Sequence, residues 1–325
     1  MKFPRRRCLQ LILATVAASF FSYAAFALDY PTRPVRLIVP VAAGGGADIT
    51  ARLIGQWLSE RLGQQFIVEN RPGGGTNIGT EAAAHAPADG YTLLLVNLTH
   101  AINVTLYEKL NYNFARDIEP VASIIGVSNV IEVHPSVPAK TLPQFIAYAK
   151  ANPGKINMGS AGNGSSSHMA GELFKMMAGV NLVHVPYRGQ GPAMTDLLGG
   201  QLQVIFATTP GTTEYVRTGK LRALAVTTRE RADALPDVPT VAEFVPGYES
   251  SQWYGIGAPK GMPAEIVDKL NREVNAALVD PRMKSRFADV GGAPLPGSPA
   301  DFAKLIAGEI EKWGRVVKFA GIRAE

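Results

Sequence analysis

Residues 159–168 read GSAGNGSSSH, a stretch in which side chains and bare backbone could both do chemistry. It holds three glycines and four serines, and His168 is its one ionisable group. It lies between a strand-like segment and a helix-like segment. Such a turn suits a nucleophilic serine, a phosphate cradle, or a set of N–H donors for another anion.

Ser160 is the candidate nucleophile of a serine hydrolase. Residues 158–162 read MGSAG, which is one glycine short of the G-x-S-x-G elbow. A triad in that fold also needs an acid followed by a histidine. No acid separates Ser160 from His168, and Glu172 is the only acid before His184. The hydrolase therefore stays open as an alternative to serines that cap a helix.

The sequence gives little support for a nucleotide or metal site. A G-x-G-x-x-G motif starting at Gly44 or Gly73 would need glycine where Ile49 or Ile78 stands, and no GxxxxGK[ST] motif is present. The five histidines form neither an HExxH motif nor a close cluster, and Cys8 is the only cysteine. We therefore expect neither a cofactor nor a metal.

Three glycine-rich loops, at residues 42–47, 73–76 and 160–167, each follow a predicted strand and precede a predicted helix. A helix N-terminus offers unpaired N–H groups and about half a positive charge, and glycine lets an anion approach the backbone. We therefore expect a carboxylate or similar anion at these loops. Asp48 either caps the first helix or accepts from a ligand ammonium or hydroxyl, and Arg188 either holds a second carboxylate or makes a surface ion pair.

The N-terminus has the parts of a secretory signal peptide. A basic segment at 2–7 precedes an apolar run at 9–21, and Ala25-Phe26-Ala27 is a small-residue cleavage site. We expect cleavage after Ala27, by the Sec or the twin-arginine route, and a periplasmic protein. The remaining 298 residues lack Cys8 and four basic residues, so the formal net charge falls from +5 to +1. This charge gives no support for a nucleic-acid partner.

Strand-like and helix-like segments alternate along the rest of the chain. The predicted strands lie at 35–40, 65–69, 91–97, 155–158, 182–185, 202–207, 221–227 and 252–258. Helical periodicity follows most of them, and three helices end the chain, the last beginning at Ser298. Short links between alternating strands and helices require parallel pairing, so we predict an α/β fold.

Six stretches in order along the mature chain, taken together, resemble one family. They read YPTRPVRLIVPVAAGGGADITAR, NRPGGGTNIGTEAAAHAPADGYTLL, GSAGNGSSSHMAGELF, VPYRGQGPAMTDLLGGQLQVIF, GKLRALAVTT and LPDVPTVAE. This combination resembles the Bug family, the extracytoplasmic solute-binding receptors of tripartite tricarboxylate transporters. Each glycine loop alone is a weak signal, whereas the combination is specific.

The resemblance implies a two-domain periplasmic-binding-protein (Venus-flytrap) fold, each domain being a mainly parallel sheet flanked by helices. After a signal peptide at 1–27, we expect domain 1 at 28–124 plus 246–325 and domain 2 at 125–245. The resemblance also implies that a small carboxylate is captured in the cleft between the domains and delivered to the membrane subunits of the transporter. A sensor that feeds a signalling system is the alternative within the family.

Family members hold a ligand carboxylate mainly through loop backbone and water. The positions that match in this chain are Ala43, Gly44, Gly45, Asp48, Asn97, Thr99, Ser160, Ala161, Gly162, Gly164, Ser165, His168, Tyr187 and Gly189. Many relatives carry an acid or asparagine after the strand that ends in VIF, where this chain has ATTP at 207–210. This departure argues against recognition of a ligand amine at that point.

Overall fold

The computed structural model describes residues 29–187, 189–209, 213–233 and 235–324. The predicted signal peptide at 1–27, Arg188 and Pro210 lie outside these residues. Every helix in the described part of the chain is too short or too polar to cross a membrane.

The described strands form one continuous sheet. They are β1 (Val35–Val39), β2 (Phe66–Asn70), β3 (Thr92–Asn97), β4 (Ile118–Val133), β5 (Asn157–Ser160), β6 (Val183–Pro186), β7 (Val204–Thr208), β8 (Arg222–Val226), β9 (Ser251–Pro259) and β10 (Gly292–Pro294). Their order across the sheet is β2-β1-β3-β9-β4-β7-β5-β6, and β8 and β10 also pair with β4.

Helices flank the sheet and alternate with its strands, as the sequence predicts. They are α1 (Gly46–Leu62), α2 (Asn77–Ala84), α3 (Leu98–Leu106), α4 (Phe114–Asp117), α5 (Leu142–Ala151), α6 (Ser166–Ala178), α7 (Gln190–Leu198), α8 (Thr213–Arg217), α9 (Ala264–Val279), α10 (Pro281–Asp289) and α11 (Pro299–Ala320). Short 3₁₀ turns lie at Gly74–Thr76 and Val241–Glu243. The strand predicted at 155–158 lies two residues later, so Ser160 ends β5 rather than opening the loop.

Strand β4 divides the sheet into two halves. Its residues up to Ser128 pair with β9, and its residues from Asn129 onward pair with β7 and β8. The chain returns to the first half between β8 and β9, so it passes between the halves twice, once along β4 and once before β9. The predicted domain boundary at 124/125 falls within the part of β4 that pairs with β9, and the domain limits stay a prediction.

Strand β4 passes from one half to the other between Ser128 and Asn129, and we call this place the β4 crossing. The outer strands of both halves point their carboxyl ends at it. In the first half, β1 and β3 run parallel to each other and antiparallel to β9, and Asn97 at the end of β3 pairs with Tyr254. In the second half, β5 runs parallel to β7, whose last residue, Thr208, pairs with Asn129 of β4. The loops that follow β1 and β5 therefore approach the crossing from opposite sides.

The two largest of the four apolar clusters among the described residues pack most of the helices against the sheet. One packs α1, α9 and α10 against the first half and contains Trp57 and Tyr254. The other contains residues of both halves, among them Leu98 of α3, Phe174 of α6 and Trp313 of α11. Burial of apolar surface is the main stabilising term in folding, so this second cluster ties the halves together on one face of the sheet.

We predict opposite effects of alanine at two glycines. A Cβ at Gly255 of β9 would lie 2.2 Å from Phe302 Cζ and 2.7 Å from the Ala122 carbonyl oxygen, whereas nothing lies within 4 Å of a Cβ at Gly308. Gly255→Ala should lower the free energy of unfolding by about 1–3 kcal/mol because backbone must move. Gly308→Ala, on the exposed face of α11, should raise it by about 0.5–1 kcal/mol.

Urea unfolding of both variants measures these changes. A Gly255→Ala variant as stable as the parent protein would show that β9 and α11 are not packed as closely as described.

Candidate functional site

The first glycine loop leaves the N-terminus of α1 open. Residues 42–45 are exposed, and the N-cap is Gly45, whose φ of −86° places it in the extended region without a capping side chain. The N–H groups of Gly46 and Ala47 have no acceptor among the described residues. A helix of 17 residues therefore presents unpaired donors and its positive dipole end at the carboxyl end of β1.

Asp48 organises this loop from within. The N-cap is Gly45, so the expectation that Asp48 occupies the capping position is wrong. Its buried carboxylate instead accepts hydrogen bonds from the Gly44 N–H (2.9 Å), Arg52 Nε (3.0 Å) and Asn70 Nδ2 (3.0 Å). Burial alone would raise the pKa of this carboxyl, but these hydrogen bonds outweigh it and hold the pKa below its ordinary value. A ligand role for Asp48 stays a prediction.

The second glycine loop is fixed by α3. Gly73, Gly74 and Gly75 all have positive φ, and Asn103 Nδ2 donates to the Gly75 carbonyl oxygen at 2.6 Å. A Cβ at Gly75 would lie 2.7 Å from the Tyr107 hydroxyl oxygen. The glycines here let α3 approach the loop closely.

The resemblance implies that Asn97 and Thr99 lie in a loop on the rim of the first domain, and the structure corrects this expectation by placing them at the end of β3 and the start of α3. Asn97 ends β3 and caps α3, and its Oδ1 accepts from the Thr99 N–H at 3.0 Å. The Asn97 N–H in turn donates to His100 Nδ1 at 3.1 Å. Burial lowers the pKa of His100 to about 4, so this imidazole is neutral and can accept. Asn97 is buried, and its side chain serves the helix start.

The third glycine loop is held by side chains of the protein itself. Ser165 is the N-cap of α6, which confirms the capping interpretation for this serine. The N–H groups of Ala161, Gly162 and Gly164 donate to Ser167 Oγ (2.9 Å), Ser160 Oγ (3.1 Å) and His168 Nδ1 (3.1 Å), respectively. A carboxylate that used these amides would have to replace all three acceptors.

A compact polar cluster lies beneath that loop. Ser160 Oγ is 2.6 Å from His184 Nε2, and the rings of His184 and His168 stack with centroids 3.6 Å apart and planes 6° apart. His168 Nε2 faces Glu172 Oε1 at 3.6 Å. Ser160 is fully buried and His168 is 3% exposed. The sequence singled out these residues only as parts of a triad or as ligand contacts.

Tyr187 and Gly189 lie beside the third loop, as the sequence predicts for site neighbours. The Tyr187 N–H donates to the Ser160 carbonyl oxygen at 3.1 Å, and the Gly189 N–H donates to the Ala161 carbonyl oxygen at 3.2 Å. The Tyr187 hydroxyl donates to Asp196 Oδ2. The structure thus brings the second-half candidates together in one group.

Tyr254 is a site neighbour that sequence reasoning missed. A Cβ at Gly46 would lie 3.2 Å from the Tyr254 hydroxyl oxygen, so this hydroxyl lies against the first residue of α1. Burial raises the pKa of Tyr254 to about 12, which keeps the hydroxyl protonated. The sequence QWYG predicts a strand, but only the pairing of β9 with β3 places its tyrosine at the first loop.

The site candidates therefore form one group at the ends of the neighbouring strands β1 and β3 and a second group at the end of β5. The third loop also contacts the first half, since a Cβ at Gly164 would lie 2.9 Å from Leu106 Cδ2 of α3. A cavity of about 350 Å³ lies between α3 and residues 107–116 and involves neither group. In the described part of the chain no three His, Cys, Asp or Glu side chains are placed to hold a metal ion.

Several known proteins match this chain over almost its whole length. Protein BugT of Bordetella pertussis is 36% identical over 320 residues, which cover 98% of this chain and 98% of that protein. The structure of R. palustris Rpa4515 with adipate has a TM-score of 0.81 and 40% identity, covering 90% of this chain and 99% of that one. The structure of MatC (Rpa3494) from Rhodopseudomonas palustris with bound malate has a TM-score of 0.77 and 34% identity, covering 89% and 100%.

The predicted fold class is confirmed, because these neighbours have the same α/β fold over nearly their full length. The profile of the tripartite tricarboxylate transporter family receptors matches residues 50–322. The Bug-family resemblance of the sequence motifs is confirmed by the match to BugT. This chain belongs to the tripartite tricarboxylate transporter receptor family, whose members are solute-binding proteins.

Proposed function

We propose that this protein binds a small carboxylate between the glycine loops that follow β1 and β5. The observation that carries the proposal is the direction of the strands, which aims both loops at the β4 crossing. Ligands of open α/β sheets bind outside the carboxyl ends of the strands, where loops and helix N-termini meet. The uncapped start of α1 supplies the open donors on one side.

The energy of such a site is sufficient without a cluster of cationic side chains. Micromolar binding requires about 8 kcal/mol. A hydrogen bond to a charged group contributes about 1.5–3 kcal/mol, and a helix N-terminus about 0.3–1 kcal/mol. About four to six such bonds with two helix ends reach this level after the cost of association. The solved neighbours that contain adipate and malate support a carboxylate as the ligand.

We further propose that binding closes two lobes, with limits at 28–124 plus 246–325 and at 125–245. A ligand that contacts both lobes favours the closed arrangement by its extra affinity for it. The closed form would then deliver the carboxylate to the membrane subunits of a transporter in the periplasm, after cleavage of residues 1–27. Membership in a transporter receptor family supports this partner.

We infer that the protein is not a serine hydrolase, although Ser160 and His184 lie 2.6 Å apart. Ser160 is fully buried, and the adjacent Gly162 N–H donates to its oxygen instead of forming an open oxyanion hole. The relatives are receptors, which agrees with binding without catalysis.

A panel of carboxylates tests the ligand class. Protein stripped of carried-over ligand should be stabilised by one class among dicarboxylates such as adipate and malate, tricarboxylates, aromatic acids and amino acids. Ligand at 100 times Kd adds about 2.7 kcal/mol of stability, so the thermal midpoint should rise by several degrees. Isothermal titration of the best candidate should give one site per chain. A stripped protein that binds none of these acids would refute the proposed function.

Gly45→Asp tests whether the α1 N-terminus is the anion site. A Cβ at Gly45 meets nothing within 4 Å, and its φ of −86° suits any residue. An aspartate N-cap would accept the open amides of α1 and stabilise the helix by about 1 kcal/mol. The same carboxylate occupies and repels the proposed ligand position, so affinity for the best acid of the panel should fall at least 100-fold.

Gly308→Asp is the matched control, because it adds the same charge at an open position of α11. It should leave the affinity within about twofold of the parent protein, a change near the size of surface charge effects. Equal binding by Gly45→Asp and the parent protein would place the ligand away from α1.

A further inference from the structure

The pair Ser160–His184 lies at the base of the third glycine loop. Ser160 Oγ and His184 Nε2 are 2.6 Å apart, and the fully buried serine cannot touch a ligand in the cleft. We propose that His184, acting through Ser160, is a positioning residue that sets the shape of residues 161–165 for carboxylate binding. This proposal rests on the function proposed above.

The hydrogen bonds of Ser160 fix the direction of its proton. Its oxygen accepts from the Gly162 N–H at 3.1 Å. The Ser160 hydroxyl lies 3.3 Å from the Gly162 carbonyl oxygen and only 2.6 Å from His184 Nε2, so donation to the imidazole is its shorter hydrogen bond. The imidazole can accept because it is neutral: burial lowers the pKa of His184 to about 4.

His168 makes a second, parallel attachment of the same loop. Its Nδ1 accepts from the Gly164 N–H at 3.1 Å, which requires the ring proton to be on Nε2. Glu172 Oε1 faces that Nε2 at 3.6 Å and accepts from Lys175 Nζ at 2.8 Å. The carboxylate therefore favours the tautomer that leaves Nδ1 as the acceptor. The two imidazoles stack on each other, so Ser160, His184 and His168 form one unit that holds the loop at two points.

This unit selects which amides remain for a ligand. It engages the N–H groups of Gly162 and Gly164, whereas those of Ser166 and Ser167 have no acceptor among the described residues. The open amides belong to the first turn of α6 and follow directly from the fixed loop. A change at His184 should therefore alter affinity through the loop, without the loss of any ligand contact.

Four variants test this assignment in isothermal titrations with adipate and malate. His184→Phe keeps an aromatic ring stacked against His168 but removes the hydrogen bond to Ser160. It should weaken binding about 5- to 20-fold. Ser160→Ala should weaken it at least as much. Because His184 acts through Ser160, a double variant that carries both Ser160→Ala and His184→Phe should bind no more weakly than Ser160→Ala alone. His184→Gln can still accept from Ser160 and should stay within about threefold of the parent protein.

The matched control is His134→Phe. His134 Nδ1 also bonds a serine, Ser136 Oγ at 2.7 Å, but in an exposed turn away from the loops. It should not change the affinity. Effects of His184→Phe and Ser160→Ala that multiply in the double variant, or a His184→Gln variant as weak as His184→Phe, would overturn the positioning role.

Amide hydrogen exchange of the ligand-free protein tests the proposal independently of any ligand. His184→Phe should speed exchange of the Gly162 N–H at least tenfold, while His134→Phe should leave it unchanged. If the parent protein binds no carboxylate but the exchange changes as expected, only the proposed function fails. Unchanged exchange at Gly162 in both Ser160→Ala and His184→Phe would refute the positioning pair itself.

Discussion

The candidate site depends on the uninterrupted run of β4 through both halves of the sheet. Strand β4 keeps its direction along its whole length, but its partners change after Ser128. In the first half β1 and β3 run parallel to β4, whereas in the second half β5 and β7 run antiparallel to it. The carboxyl ends of β1 and β5 must then point toward each other. A strand that stopped at Ser128, followed by a turn, would not impose this convergence. The pairing of β4 with β9 in one half and with β7 in the other therefore determines where the loops after β1 and β5 can act.

The two loops differ in how the N–H groups at the start of the following helix are satisfied. At α6, Ser165 caps the helix and side chains engage three loop amides, so the loop is ordered without a ligand. At α1, no side chain caps the helix, and a missing cap costs about 1 kcal/mol. Asp48 contributes charge near this end, but Arg52 neutralises it. The loop before α6 is thus held from within and leaves only the first-turn amides of Ser166 and Ser167 open, while the loop before α1 keeps its uncapped donors for an anion.

Local signals in the sequence predicted much of this arrangement. Apolar runs and glycine stops located β1, α1 and β3 within a few residues, since such signals depend on neighbours in the chain. The long strand β4 was missed because its identity comes from partners more than 70 residues away. The same limit applies to the site: Ser160 meets His184 only through the pairing of β5 with β6, and Tyr254 reaches Gly46 only through β9.

The likeness of residues 158–162 to a hydrolase elbow has a physical origin that does not involve catalysis. A sharp strand-to-helix turn requires small residues, whether it exposes a nucleophile or binds an anion. Catalysis further requires an accessible serine, an acid that orients the histidine and free oxyanion donors. Here Ser160 is buried, His184 stacks on His168, and the Gly162 amide is engaged. The short serine–histidine contact therefore restrains the loop, and the chemistry left at its surface is binding.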